Sequence, residues 1–164
     1  MRRSLFALSI ALALVATSAA AEPCPCPCPE DQALLAGATA VAAAHRRADL
    51  LAEKDPRAAA AELRAALGLE LPRHESSRML RADLHARLAE LLLKAGAAPG
   101  SLKAARAGLA EEQGLKPTAL TAMLRLREGE ALEATGEDDA AMAAYEEVIA
   151  LGKRLLAERS REKR

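Results

Sequence analysis

Three cysteines alternate with proline in Pro23-Cys24-Pro25-Cys26-Pro27-Cys28-Pro29, and three histidines stand at 45, 74 and 85. Soft thiolates at i, i+2 and i+4 can ligate Cu(I) or Zn(II), or form disulfides. Each Cys precedes a proline, which biases it toward extended or polyproline II backbone. That helix has about three residues per turn and rises about 3.1 Å per residue, so neighbouring thiols lie about 6 Å apart along the axis and diverge. Four-coordinate thiolate sites need convergent sulfurs. The segment therefore reads first as a stiff exposed tether. Intermolecular disulfides through Cys24, Cys26 and Cys28 come next, because an odd thiol count leaves at least one without an internal partner. A metal site comes last, and neither a metal nor another cofactor is expected.

The other polar residues suggest no catalytic constellation. His45 and Asp49 are i, i+4 on a helical pattern and supply half a metal site at most; a hydrogen bond along the helix surface is the simpler expectation. His74, beside Glu75 and after Pro72, is expected in water. Asp138-Asp139 and Glu146-Glu147 are carboxylate pairs, but adjacent helix residues do not face each other, so neither is a general acid–base site. Asp138 and Asp139 suit a helix N-terminus through its dipole. A Gly-rich phosphate loop, H-E-x-x-H and G-x-S-x-G are all missing from the sequence. The expectation is binding rather than catalysis.

The elements that must position these residues are helical. Of 164 residues, 42 are Ala and 28 are Leu, while Trp and Asn are absent. Tyr145 and Phe6 are the only aromatics. Such a chain favours helix and lacks the β-branched and aromatic residues on which sheets lean. The 23 basic and 23 acidic side chains balance and interleave, giving no basic face for nucleic acid or anionic lipid.

Arg2 and Arg3, an apolar run from Leu5 to Ala16 and the small residues Ala19-Ala20-Ala21 follow the secretory pattern. The run is far short of the roughly 20 apolar residues of a membrane span. Residues 1–21 are thus expected to be a cleaved signal, residues 22–30 a tether, residues 31–158 the folded domain and residues 159–164 a charged tail. Ala/Arg/Leu-rich composition without Asn is what a GC-rich bacterial genome produces, which makes the expected destination the periplasm or the medium.

Beyond Glu30, proline occurs only at 56, 72, 99 and 117 and divides the chain into apolar-periodic segments. Residues 31–53 carry Leu34, Ala38, Val41, His45, Ala48 and Leu51. Asp55-Pro56, an N-cap with Pro at N1, opens the next helix. Further helices are predicted over 75–95, 101–113, 118–135 and 138–158, with Gly96, Gly114 and Gly136 as stops. The prediction is an all-α chain of three antiparallel helical hairpins, with a generic helical bundle as the alternative.

In the last hairpin, Gly129, Leu132, Gly136, Ala141 and Tyr145 stand at relative positions 8, 11, 15, 20 and 24 counted from Ala122. The pattern resembles the tetratricopeptide repeat: a small residue for close helix crossing, a bulky one three later, a glycine turn, then A-x₃-aromatic. Arg125 and Glu128 stand where the family prefers an aromatic and a leucine, and Lys153 replaces the closing proline. Leu88-Ala89, Leu92, Gly96, Ala105-x₃-Leu109 and Pro117 follow the pattern in the middle hairpin. Ala59-x₃-Leu63 and Ala66-Leu67 follow it loosely in the first.

The resemblance implies an α-solenoid whose ligands lie along the first helices of the hairpins. That stripe is Asp83, Arg87, Glu90 and Lys94 in the middle hairpin, and Met123, Arg127, Glu130 and Glu133 in the last. Asp83–Arg87 and Glu90–Lys94 are also i, i+4 ion pairs that would stabilise a bare helix. The resemblance likewise places His85 where the family packs an aromatic between helices, and puts Tyr145 in the core against Gly129 and Ala141. The implied function is a protein-interaction adaptor or assembly factor of the cell envelope that binds an unidentified protein or polar peptide. A small periplasmic metal- or redox-handling protein using the three cysteines is the alternative. If the cysteines pair between chains, non-reducing gels of oxidised protein will show multimers that collapse with reductant. A monomer with three free thiols would reject that reading.

Overall fold

A computed structural model of the chain describes residues 28–162. The expected signal segment, Cys24 and Cys26, and the last two residues of the tail lie outside them. Six α-helices are present, with no strand among the described residues: α1 Pro29–Ala52, α2 Pro56–Leu67, α3 Glu75–Lys94, α4 Ala98–Glu111, α5 Ala119–Thr135 and α6 Asp138–Glu162. Several bounds differ from expectation, α4 among them, which spans Ala98–Glu111 rather than 101–113. Proline is well suited to the first helical position, so α1 begins at Pro29, inside the stretch read as tether. α6 runs through Arg159–Glu162, the first part of the expected tail.

Local chemistry accounts for the helix starts. Asp55 accepts from Ala58 N–H at 2.9 Å and caps α2. Thr118 and Thr121 form a reciprocal capping box on α5. His74 is exposed, as expected, and also serves as the α3 cap, its Nδ1 accepting from Ser76 N–H at 3.1 Å. Gly96 and Gly136 take φ of 72° and 79° in the turns after α3 and α5, a region costly for residues with a Cβ.

Each helix packs on the next, and α3 also packs on both α1 and α5. Alanine makes this approach close. Ala48, Ala59, Ala60, Ala82, Ala89, Ala105 and Ala131 are wholly buried, with Leu63, Leu84, Leu91 and Leu124 supplying the volume between them. Ser101, also buried, donates its hydroxyl to the Ala89 carbonyl at 2.8 Å and ties α4 to α3.

Tyr145 corrects one expectation. It does not fill the core but is half-buried between α5 and α6, where its hydroxyl donates to Glu133 Oε2 at 2.7 Å. Gly129 is buried beneath the ring, and a Cβ there would sit 2.5 Å from Tyr145 Cε1. The glycine is therefore required by the tyrosine. Gly129→Ala should lower the thermal midpoint in the wild-type background. In a Tyr145→Ala background the same change should raise it, because Ala is the better helix former by about 1 kcal/mol. Circular dichroism melts of the four proteins check this reversal of sign.

Candidate functional site

α1, α3 and α5 lie side by side and run the same way, because each is followed by a short turn and a returning helix. Their first turns adjoin at one end. There an open groove of about 840 Å³ is formed by Leu34, Leu35 and Ala38 of α1, Met79 and Leu80 of α3, and Leu120 and Met123 of α5. Asp31, Ser76 and Asp83 add its polar edge. α1 has 24 residues and α2 only 12. The chain after α2 returns along the start of α1, where Leu71 packs over Gly37, and leaves Leu35 65% exposed. Met79 and Met123 bring adaptable side chains to the same surface.

Farther along the face, the surface turns ionic. Arg87 is its hub: Nη2 donates to Asp49 Oδ1 on α1 at 2.6 Å, and Nη1 lies 2.7 Å from Glu90 Oε2. Glu90 also meets Lys94 at 3.5 Å and Arg127 of α5 at 3.5 Å. Arg127 bonds Glu130 at 2.7 Å, and Lys94 reaches Glu53 at 3.6 Å. Burial opposes both charges at the hub. For Arg87, the hydrogen bonds and charges of Glu90 and Asp49 outweigh burial and hold its pKa above the ordinary value. For Glu90, Arg87 first, then Arg127 and Lys94, outweigh burial and hold the carboxyl below the usual range.

Of the eight stripe residues expected from sequence, Arg87, Glu90, Lys94, Arg127 and Glu130 thus meet in one network, together with Asp49, expected beside His45, and Glu53, which no sequence signal singled out. Asp83 and Met123 line the groove. Glu133 instead accepts from Tyr145, whose hydroxyl pKa is pushed up to about 12 by burial and then by the Glu133 and Glu130 charges.

Two expected pairs are replaced by pairs between helices. Asp83 does not join Arg87 but lies 3.0 Å from His45 Nε2, out of line for a hydrogen bond. Asp49 takes Arg87 rather than His45. Glu90–Lys94 forms along α3 as expected. The groove's Leu34, Leu35, Met79 and Leu120 were also missed. Their signal was a large apolar residue in the opening turns of every first helix.

Arg125 and Glu128 belong to a second network. Glu128 is buried and accepts from Arg106 of α4 at 2.8 Å and from Arg125 at 2.7 Å. Arg125 continues to Glu147 of α6 at 3.1 Å. Burial raises the Glu128 pKa, but the two arginines outweigh it and leave the group below its ordinary value.

Among the described residues, no cluster of three or more His, Cys, Asp or Glu could hold a metal. No helix among them is long and apolar enough to cross a membrane. Cys28 is exposed at the start of α1, and its thiol donates to Asp31 Oδ2 at 3.0 Å. Comparisons with protein-family models, curated proteins and solved structures give no match.

His85 is half-buried between α3 and α4, beside Gly108. Burial lowers its pKa from 6.5, with Glu111 opposing and Arg81 assisting. A depressed histidine contributes stability that is complete above its unfolded value and lost as pH falls toward the folded one. The lowered Glu90 and Glu128 contribute stability that is complete above 4.5 and lost below it. On acidification from about pH 7 to about pH 5, wild type should therefore lose more of its thermal midpoint than His85→Leu. Both should then fall steeply below 4.5. Parallel curves throughout would contradict the assignment.

Proposed function

We propose that this chain is a non-catalytic protein-interaction module, an adaptor or assembly factor exported to the periplasm or the medium, built as a tetratricopeptide-like solenoid of three hairpins. The α1–α3 and α3–α5 packing supports the solenoid reading, as does the Gly129–Tyr145 contact at the expected register. One observation carries the functional reading. The face of the first helices joins an apolar groove to an ionic surface, a combination suited to an amphipathic segment. Its apolar stripe would lie over Leu35, Met79 and Met123, and its polar end would lie over Arg87, Glu90 and Arg127. This helix-in-groove mode reads anchors at i, i+3, i+4 and i+7. Mixed charge favours a polar peptide over an apolar one, and the groove adds an apolar stripe to that ligand.

The test is a pull-down from envelope extract with wild type, Leu35→Glu and Met123→Glu, both at exposed positions. The account expects one partner retained by wild type and lost at least tenfold in each variant, with helix content unchanged. Equal capture by all three would exclude the groove.

A further inference from the structure

Among the described helices α6 packs on α5 alone, so its opposite face is left uncovered by them. A helix face that no neighbour covers is ordinarily polar. α6 instead presents Met142, Ile149 and Leu156, which are 59%, 57% and 69% exposed. They are seven residues apart and share one stripe, the spacing of a helix–helix seam. Beside the stripe is Gly152, where a Cβ would meet nothing within 4 Å. No contact among the described residues calls for a glycine there, in mid-helix, where it costs about 1 kcal/mol against alanine.

Charge is segregated along the same helix. Over 138–148 the charged residues are Asp138, Asp139, Glu146 and Glu147, all acidic. Over 149–162 Lys153, Arg154, Arg159 and Arg161 outnumber Glu158 and Glu162. Glu147 and Glu158 are paired within the chain, with Arg125 and Lys116. Asp139, Glu146, Lys153 and Arg159 are exposed and join none of the ion pairs among the described residues.

We propose that the α6 stripe is the contact of a homodimer, with α6 of a second copy packed antiparallel on it. One two-fold axis near Ile149 satisfies the whole face. It sets Met142 opposite Leu156 of the second copy, Ile149 against its own symmetry mate and Glu146 opposite Lys153 of the second copy. It also brings the Asp138–Asp139 end against the Arg159–Arg161 end. Gly152 then allows the two backbones to approach. The contact is isologous, so it closes at two chains. It is independent of what the groove binds.

Light scattering on the full chain, eluted from a sizing column with reductant present, tests the pairing free of disulfides. Wild type should have the mass of two chains, and Ile149→Glu that of one with unchanged helix content. Glu146→Lys places like charges opposite each other twice and should weaken association about tenfold. Glu146→Lys/Lys153→Glu should restore it. A single chain in wild type would overturn the proposal, as would association that survives Ile149→Glu or a double exchange that restores nothing. Loss of association in Leu35→Glu would overturn it too, by seating the stripe in the groove of the other copy.

Discussion

Helices can share a face only if they come close, and in this chain alanine sets the approach. Ala82 and Ala89 on α3, Ala59 and Ala60 on α2, and Ala105 on α4 are wholly buried. With only Tyr145 and Phe6 as aromatics, bulky side chains cannot bridge a wide gap between layers. The helices therefore pack at short range, and α3 reaches both α1 and α5. The groove and the ionic surface both follow from that contact, since each draws residues from all three helices. Replacing the buried alanines with larger residues would force the layers apart, and Arg87 would lose its reach to Asp49.

Polar groups secure what small apolar contacts leave weak. The Arg87–Glu90–Arg127 network crosses from α3 to α5, and Arg106–Glu128–Arg125–Glu147 runs from α4 through α5 to α6. Arg87 and Glu128 are sufficiently buried to give these bonds geometric value, while the outer members remain screened by water. Such partly exposed pairs contribute modestly to stability, but they fix which helix faces which. Ser101 to the Ala89 carbonyl serves the same purpose at the α3–α4 contact.

All six helices were legible in the sequence, because proline, glycine and apolar spacing mark their limits; the exact ends were not, as Pro29 and Arg159–Glu162 illustrate. The stripe on α3 and α5 was legible as a set of residues but not as a set of bonds. Spacing along one helix exposes the i, i+4 neighbour and conceals the residue on the next helix. Asp83 was therefore assigned to Arg87 and His45 to Asp49, when each finds its partner between α1 and α3. Tyr145 was placed on the correct element and against the correct glycine, yet its hydroxyl draws the ring toward Glu133 and keeps it at the edge. The groove draws its lining from α1, α3 and α5 together, a consequence that appears only once the three helices are packed.

The central claim is that α1 and α3, separated in the chain by α2, meet along one face through Asp49 and Arg87. A double-mutant cycle measures this directly, with thermal or urea unfolding of wild type, Asp49→Ala, Arg87→Ala and the double variant. The account predicts a coupling of about 0.5–1 kcal/mol between the two positions, the range of a partly exposed ion pair with good geometry. Strict additivity of the two substitutions would mean that the pair does not couple α1 to α3, which contradicts the claim.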